Sequence, residues 1–303
     1  MFDIVIATYN GERFLKAQLD SILEVEGFNE LVERVIVVDD GSLDATVQIL
    51  ERYRALDERF EVYAHARGLG PTGNFAYGLS LTSAHWVCLA DQDDVWLPSK
   101  LVVMRRELES LPPDSPAALF SDLVVVNQEL REISPSYFTH CAISPERATS
   151  LNQLAQQNVV SGCTMVVNRQ LIDLALPVPS SACMHDWWLA LVARSFGQLK
   201  FVDQPLVLYR QHDNNAVGAP NVSMISRLMS KGYLRKVIDN FWASVDQAQS
   251  LSQQYGESTK HIELLRSNAS FTKRLRFILN GGILRSSWYA RLFFSVVVLL
   301  GRV

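Results

Sequence analysis

The stretch His85–Asp94, HWVCLADQDD, is an apolar run that ends in three aspartates within four residues. Two earlier stretches have the same form: DIVIATYN at Asp3–Asn10 and RVIVVDDGS at Arg34–Ser42. Short apolar runs of this kind are typical of strands that are buried on both faces of a sheet. The sequence therefore predicts three strands that each present polar side chains at the carboxyl end.

Helical patterns separate these runs. Residues 12–23 carry apolar side chains on one helical face, and Ser42 or Asp44 is placed to cap a further helix. Another strand, FEVYA at Phe60–Ala64, precedes a helix over Asn74–Leu81. This alternation predicts an α/β fold with a parallel sheet that has helices on both faces. Ligands of such sheets bind outside the carboxyl ends of the strands.

The rest of the chain continues this alternation before it changes in composition. We expect a helix over Leu97–Leu111, a strand over Val159–Asn168 and a helix that stops at Gly197. A break at Val217–Asn221 precedes a basic region. The predicted organisation is a domain over 1–220, with halves of about 1–110 and 111–220, and a basic, amphipathic helical region over 221–303.

The charge of the chain is unevenly distributed. The 303 residues carry a net charge of -4, yet residues 224–303 hold 12 Lys+Arg against 4 Asp+Glu. Such a tail either contacts an anionic partner or is a solvated helical region. The four cysteines form no C-x-x-C pair, which argues against a zinc site and fits a reduced, cytoplasmic setting. The sequence shows no signal-peptide pattern and no apolar run of about eighteen residues, the length that spans a bilayer.

One motif points to a different class of protein. Gly68–Gly73, GLGPTG, spells the G-x-G-x-x-G fingerprint of dinucleotide-binding enzymes, with Gly68, Gly70 and Gly73 in the three glycine positions. An NAD-dependent dehydrogenase is therefore one hypothesis. Against it, Pro71 removes an N–H group from the turn that would hold phosphate.

The acidic side chains at the strand ends favour another chemistry. A dinucleotide site needs one carboxylate for the ribose, whereas this edge offers five, namely Asp39, Asp40, Asp91, Asp93 and Asp94. Closely spaced carboxylates raise one another's pKa unless a cation lies between them. Mg²⁺ and Mn²⁺ prefer oxygen ligands and commonly bridge to phosphates. The cluster is either a metal mount for a diphosphate or a set of solvated acidic turns.

Longer stretches of the chain resemble the family 2 glycosyltransferases, which are inverting enzymes with the GT-A fold. The resemblance covers about the first 215 residues, and within the family it is strongest to rhamnosyltransferases of bacterial surface polysaccharide assembly. It implies a Rossmann-like, mostly parallel sheet flanked by helices, with a C-terminal helical extension. The stretches that carry it are VIATYNGERFLKAQLDSIL (Val5–Leu23), VIVVDDGSLDAT (Val35–Thr46), NFAYGL (Asn74–Leu79), VCLADQDDVWLPSKL (Val87–Leu101), NVVSGCTM (Asn158–Met165), HDWWLAL (His185–Leu191) and LYRQHDNN (Leu208–Asn215).

The resemblance also implies a role for particular side chains. Asp186 matches the base that removes a proton from the acceptor hydroxyl, and Asp40 matches the aspartate that recognises the pyrimidine base. Asp91 and Asp93 match the D-x-D pair of the site for Mg²⁺ or Mn²⁺, with Asp93 as the direct ligand and Asp94 in support. His212 matches a histidine near the diphosphate, which either ligates the metal or donates to phosphate. The other residues implied on the nucleotide-sugar side are Thr8, Tyr9, Asn10, Asp39, Asn74 and Arg210. On the acceptor side they are Asn158, Ser161, Gly162, Trp187 and Trp188.

Each of these assignments has a structural alternative. Asp186 could serve only as a helix N-cap, and a histidine such as His212 often bonds only to backbone. A tryptophan pair that enters a helix usually packs in the core, which we expect for at least one of Trp187 and Trp188. In the resemblance, GLGPTG becomes a loop that leads to Asn74.

The tail is predicted to be helical over 224–245 and 259–279, followed by the apolar run Leu292–Leu300. This run is too short to span a bilayer but suits a segment in the membrane interface, with Arg285, Arg291, Trp288 and Tyr289 at headgroup level. The alternative is a helical hairpin packed on the rest of the chain or on a second subunit.

The function that the resemblance implies is transfer of L-rhamnose from dTDP-L-rhamnose to a saccharide or lipid-linked saccharide acceptor, as in O-antigen, capsule or lipopolysaccharide core synthesis. A UDP-sugar donor remains an alternative, as does a non-catalytic saccharide-binding protein. We expect no nucleic acid partner, and we expect a cytoplasmic protein that contacts the inner membrane peripherally.

Overall fold

The computed structural model describes residues 1–65, 68–112, 114–212, 232–256 and 269–301. The chain divides into two compact units. The first comprises Met1–Cys141, Val160–Val178 and Met184–Ala219, and the second comprises Ala142–Val159, Pro179–Cys183 and Pro220–Val303. Two segments that precede residue 220 therefore belong with the C-terminal helices.

A mixed sheet runs through the first unit. Its strands, in chain order, are β1 (Phe2–Thr8), β2 (Val32–Asp39), β3 (Phe60–Ala64), β4 (Trp86–Asp91), β5 (Val95–Trp96), β6 (Ala117–Val126), β7 (Glu132–Ser134), β8 (Val166–Asn168) and β9 (Gln198–Arg210). They are arranged in the order β3-β2-β1-β4-β8-β6-β9-β5, and β7 pairs with β6. Strands β1 to β4 are parallel to their neighbours in this group, and β8 is antiparallel to both β4 and β6. The prediction of parallel strands with aligned carboxyl ends is confirmed.

Helices connect the strands. In chain order they are α1 (Leu15–Leu23), α2 (Phe28–Leu31), α3 (Thr46–Leu56), α4 (Gly70–Leu81), α5 (Lys100–Leu108), α6 (Tyr137–Cys141), α7 (Leu151–Leu154), α8 (Arg169–Ala175), α9 (His185–Phe196), α10 (Tyr233–Tyr255), α11 (Phe271–Leu279) and α12 (Trp288–Leu300). The strand predicted over Val159–Asn168 is limited to its last three residues, because the chain first makes a 3₁₀ turn over Gly162–Thr164.

The core lies on both faces of the central strands. Residues Ile4, Val5 and Ile6 are fully buried, as a two-faced strand requires. Helix α4 packs closely on this layer at Gly78, where a Cβ would stand 2.5 Å from Cγ1 of Val5. The close approach fixes α4, whose first residues lie beside the carboxyl end of β2.

The second unit is held by its own apolar and polar contacts. The ring of Phe241 in α10 stacks on Phe294 in α12 with 4.8 Å between centroids. The side chain of Gln156 donates to the carbonyl of Gly282 and accepts from the N–H of Leu284. These bonds tie the 142–159 segment to the C-terminal helices, a long-range link without a local sequence signal.

The tail helices differ in extent from the prediction. Helix α10 continues to Tyr255, ten residues beyond the predicted end, and stops at Gly256, whose φ is +69°. The predicted segments 224–231 and 259–268 lie outside the described residues. Within the part of the chain that is described, we find no helix with the length and apolar character needed to cross a bilayer.

Candidate active site

The carboxyl ends of β1, β2 and β4 meet at one edge of the sheet. Thr8 is in register with Asp39, and Ala7 is in register with Asp91. The Thr8 hydroxyl donates to Oδ2 of Asp39 at 2.9 Å. The side chain of Gln92 bonds to Tyr9, the residue that follows β1, since it accepts from the Tyr9 N–H at 2.8 Å and donates to the Tyr9 carbonyl at 3.0 Å. Hydrogen bonds therefore join the end of β1 to the residues at the ends of β2 and β4.

Asp39 organises the turn that follows β2. Its side chain is fully buried, and its carboxylate accepts from the N–H groups of Gly41 and Ser42 and from the hydroxyls of Thr8 and Ser42. The Asn10 side chain accepts from the N–H of Leu43 in the same region. With four bonds inside the chain, the Asp39 carboxylate holds the shape of the loop.

Asp40 binds the start of α4. Its carboxylate accepts from the N–H of Leu69 at 2.5 Å and of Gly70 at 2.9 Å. These are among the N–H groups that a helix leaves without internal partners, and a carboxylate there is also favoured by the helix dipole. Pro71 occupies the first turn, where its missing N–H is not needed. The expectation that the whole GLGPTG stretch is a loop is thus corrected, because α4 begins at Gly70.

Asn74 lies one turn into α4 and is almost fully buried. Its amide nitrogen donates to the carbonyl of Val38 at 3.3 Å, which joins α4 to β2. Its amide oxygen has no hydrogen-bond partner among the described residues. The contact to Val38 gives Asn74 a structural role between α4 and the sheet.

The acidic loop after β4 is closed by the end of β9. The side-chain Nε of Arg210 donates to the carbonyl of Asp93 at 2.8 Å, and the backbone N–H of Arg210 donates to Oδ1 of Asp94 at 3.1 Å. Nε2 of His212 lies 2.9 Å from Oδ2 of Asp93. Sequence-distant residues are thereby brought together, since Asp93 and His212 are 119 positions apart.

Burial raises the pKa of two carboxylates at this edge of the sheet, Asp91 and Asp94. Burial, followed by the charges of Asp93 and Asp186, raises the pKa of Asp91 to about 7. Burial, followed by the charges of Asp93 and Asp91, likewise raises the pKa of Asp94 well above its ordinary value, although bonds with Cys163 and the Arg210 backbone act in the opposite direction. A group of this kind gains from a nearby cation. The effect of Asp186 on Asp91 also places Asp186 within electrostatic reach of the acidic loop.

Lys100 is a buried cation beside this group that the sequence did not single out. It is fully buried, its Nζ donates to the carbonyl of Cys163 at 2.7 Å, and the ammonium lies 3.9 Å from the Trp96 ring centroid. Burial lowers the pKa of Lys100 to about 8, and the charges of Asp94 and Asp91 act in the opposite direction. A lysine at a helix start is ordinarily exposed, so only the tertiary fold distinguishes this one.

Two sets of side chains could hold a metal ion. Asp91, Asp94 and Cys163 have ligand atoms within 4.8 Å of one another, but burial raises the pKa of the Cys163 thiol, and a thiol does not suit Mg²⁺ or Mn²⁺. Asp93 and His212 offer an oxygen and a nitrogen that lie 2.9 Å apart, the distance of a hydrogen bond. These two donor types suit Mg²⁺ or Mn²⁺ better than a thiol does.

Asp186 lies at the start of α9, across from Gly162. Its Oδ2 accepts from the Gly162 N–H at 3.0 Å, and its Oδ1 accepts from the N–H of Trp187 at 2.5 Å. The preceding His185 stacks on Phe75 of α4 with 3.9 Å between centroids. Burial lowers the pKa of His185 to about 3, so this ring is neutral. The carboxylate is thus held in one orientation by a backbone donor and a fixed helix start.

The residues expected on the acceptor side have different positions. Trp188 is fully buried and its indole N–H donates to the carbonyl of Ala175 at 2.9 Å, which places it in the core instead of on the acceptor side. Trp187 is half-buried, and Ser161 immediately precedes the turn that bonds Asp186. Asn158 belongs to the second unit.

The fit around Gly162 gives a testable prediction. A Cβ at this position would stand 3.0 Å from Nε2 of His185 and 3.4 Å from Cβ of Asp186. We expect Gly162→Ala to displace the Asp186 carboxylate and to lower turnover by about 10- to 100-fold, since small misplacements of a reacting group have effects of this size. Affinity for the nucleotide, measured by calorimetry, should be unchanged. Turnover at the wild-type level would show that this carboxylate tolerates displacement.

Comparison with known proteins places this geometry in a family. Residues 3–173 match the model of Glycosyl transferase family 2. The chain is 26% identical over 243 residues to the dTDP-rhamnosyl transferase RfbG of Shigella flexneri, with 76% of this chain and 79% of that protein covered. It is 25% identical over 199 residues to the putative teichuronic acid biosynthesis glycosyltransferase TuaG of Bacillus subtilis, with 65% and 73% covered.

Solved structures share the fold. The Staphylococcus aureus TarS 1–349 structure in complex with UDP-GlcNAc superposes with a TM-score of 0.59 at 16% identity and covers 99% of this chain and 90% of that one. The mannosyltransferase PcManGT of Pyrobaculum calidifontis, in complex with GDP-Man and Mn²⁺, gives a TM-score of 0.58 at 15% identity, with 98% and 79% covered. The expected GT-A architecture with C-terminal helices is confirmed.

Proposed function

Because the chain belongs to glycosyl transferase family 2, we propose that it transfers L-rhamnose from dTDP-L-rhamnose to a saccharide acceptor in bacterial surface polysaccharide synthesis. The observation that carries the choice of sugar is the similarity to a dTDP-rhamnosyl transferase over 76% of this chain. The similarity to a teichuronic acid glycosyltransferase supports a polysaccharide product. The proposed acceptors are O-antigen, capsule or lipopolysaccharide core saccharides, carried on lipid at the cytoplasmic face of the inner membrane.

The nucleotide would bind over the ends of β1 and β2. Asp40 is the first polar side chain beyond the saturated Asp39, and a carboxylate accepts well from the ring N–H of thymine or uracil. Thr8 at the end of β1 bonds to Asp39, and Tyr9 and Asn10 in the following loop bond to Gln92 and Ser42 respectively. Because Asp40 occupies the first N–H groups of α4, a dinucleotide pyrophosphate would have to displace it there, which argues against the NAD hypothesis.

The diphosphate would lie over the loop after β4, beside Arg210 and His212. The Arg210 guanidinium donates to the carbonyls of Asp93 and Gln128, so its charge would be positioned before the donor arrives. Asp93 and His212 would hold Mg²⁺ or Mn²⁺, with Asp91 in support, and the ion would supply charge stabilisation for the departing diphosphate. Lys100 offsets part of the negative charge beneath this loop.

Asp186 would act as the base on the opposite side of the reacting carbon. It accepts the proton of the acceptor hydroxyl as the hydroxyl oxygen bonds to the anomeric carbon and the bond to the diphosphate breaks. One displacement inverts the anomeric centre, and the electron pair leaves with dTDP. The Gly162 N–H keeps the carboxylate oriented throughout this step.

The choice of donor is tested by measuring how fast the chain hydrolyses each sugar nucleotide. The purified full chain would be incubated with dTDP-L-rhamnose, UDP-glucose, UDP-N-acetylglucosamine, GDP-mannose or NAD, with and without Mn²⁺, and the release of nucleoside diphosphate recorded. We expect turnover with dTDP-L-rhamnose in Mn²⁺ that exceeds the others by about 100-fold or more, the discrimination that polar contacts to a substrate provide. Equal or faster release from a UDP-sugar would replace rhamnose with that sugar in this proposal. A thermal shift on addition of NAD, with no shift on addition of any of the sugar nucleotides, would overturn it.

A further inference from the structure

The last helix of the second unit exposes an apolar stripe. Its members recur every four residues on one side of α12, where a helix brings i and i+4 onto the same face. They are Trp288 (75% exposed), Leu292 (61%), Val296 (49%) and Leu300 (73%). The opposite side of the helix packs inward through Phe294, Val297 and Val298. The helix therefore buries one apolar face and presents a second one.

Helix α11 repeats this arrangement. Phe271, Leu275 and Leu279 also stand four residues apart and are exposed, and Phe277 on the other side is buried. Two neighbouring helices thus leave apolar stripes uncovered. Exposed apolar surface of this extent marks a contact with a partner or a membrane.

The charge of this region identifies the chemistry of the partner. Residues 269–301 contain no Asp or Glu, and their cations are Lys273, Arg274, Arg276, Arg285 and Arg291. Arg276 and Arg291 are exposed. Arg285 differs from its expected place at headgroup level, because its guanidinium lies 4.3 Å from the Phe294 ring centroid and burial lowers its pKa to about 10. The exposed cations favour an anionic surface.

We propose that the exposed faces of α11 and α12 form a docking surface for a bilayer that contains anionic lipids. The 13 residues of α12 extend about 20 Å, less than the hydrocarbon core of about 30 Å, so the helix lies in the interface without spanning it. Trp288 and Tyr289 stand together at one end, where such rings occupy the headgroup region. The surface is independent of the sugar that the first unit transfers.

A second copy of the chain is a poorer occupant of the same surface. An isologous contact would bring the same patch of each subunit together. The cations of one copy would then meet the cations of the other, with no acidic side chain in residues 269–301 to offset them. A bilayer with anionic lipids would bury the apolar stripes and pair its negative headgroups with the exposed cations.

The test is co-sedimentation of the full chain with vesicles. We expect binding to vesicles of phosphatidylcholine mixed with phosphatidylglycerol, weakening as salt is added, and little binding to phosphatidylcholine alone. The double variant Leu292→Ser, Val296→Ser should bind these vesicles at least about tenfold more weakly than wild type. The double variant Arg276→Glu, Arg291→Glu should show a loss of the same size. The control Leu56→Ser, at a residue 71% exposed on α3 in the first unit, should bind like wild type.

Folding and self-association are separated from lipid binding by two further readouts. Thermal unfolding shows whether each variant retains its structure, and the charge-reversal pair keeps the proposal testable should the serine pair fail to fold. Three results would overturn the proposal: no binding of wild type to anionic vesicles, equal binding to neutral vesicles, or dimerisation in sedimentation velocity that both variant pairs abolish without changing vesicle binding. Failure of rhamnosyl transfer leaves this result unaffected, because vesicle binding needs no donor.

Discussion

Replacing Asp186 by Asn is expected to lower turnover by about 100- to 10,000-fold, the usual contribution of a positioned base. Asn has the shape of Asp but cannot accept a proton at neutral pH. It retains one of the two acceptor bonds that the carboxylate makes to Gly162 and Trp187, so α9 should remain in place. Affinity for dTDP, measured by calorimetry with Mn²⁺, should stay within about twofold of wild type, since a base binds the transition state more than the ground state.

The matched control for this variant is Asp173→Asn. Asp173 lies on α8, is 66% exposed and pairs with Arg169 at 3.7 Å. An exposed pair of this kind contributes little to stability, so the control should fold and turn over like wild type. If Asp186→Asn kept turnover close to that of the control, the assignment of the base would be wrong.

Replacing Asp93 by Asn should remove the metal dependence of donor binding. Asn presents an amide in place of the charged oxygen that lies 2.9 Å from His212. Loss of even an outer partner of a metal site weakens the site by about 10- to 100-fold, and loss of the charged ligand should cost at least that. We therefore expect the dTDP dissociation constant in Mn²⁺ to rise about 100-fold, to the value that wild type shows without metal.

The metal-free measurement distinguishes this explanation from general damage. Without divalent metal, Asp93→Asn should bind dTDP at least as tightly as wild type, because the variant removes a negative charge beside the diphosphate. A variant that weakens dTDP binding by the same factor with and without Mn²⁺ would place the metal elsewhere. Asp173→Asn again serves as the matched Asp-to-Asn control.

The carboxyl-end edge of the sheet was predictable from the sequence. Each apolar run is buried on both faces and stops at polar residues, so parallel pairing must bring Thr8, Asp39 and Asp91 to one edge. The register of β1 with β2 and β4 has this arrangement. Local pattern is sufficient here because the strands are short, continuous and adjacent.

The contacts that each side chain makes at that edge were not predictable from the sequence. Asp39 and Asp40 are neighbours in the sequence, yet one is saturated by the loop and the other bonds the start of α4. The sequence alone indicates an exposed Lys100, whereas in the structure its ammonium is buried against the Cys163 carbonyl and the Trp96 ring. These differences arise from contacts between distant segments, which periodicity and spacing do not encode.

The position of the metal tests the central claim most directly: Asp93 and His212 hold the ion that binds the donor diphosphate, opposite Asp186. Crystals of the full chain grown with dTDP and Mn²⁺ would be measured at the manganese absorption edge. We predict one anomalous peak at about 2 Å from both Asp93 and His212 and from oxygens of the diphosphate, with the Asp186 carboxylate facing the open side. A peak enclosed by Asp91, Asp94 and Cys163, or a diphosphate bound away from Asp93, would contradict the account.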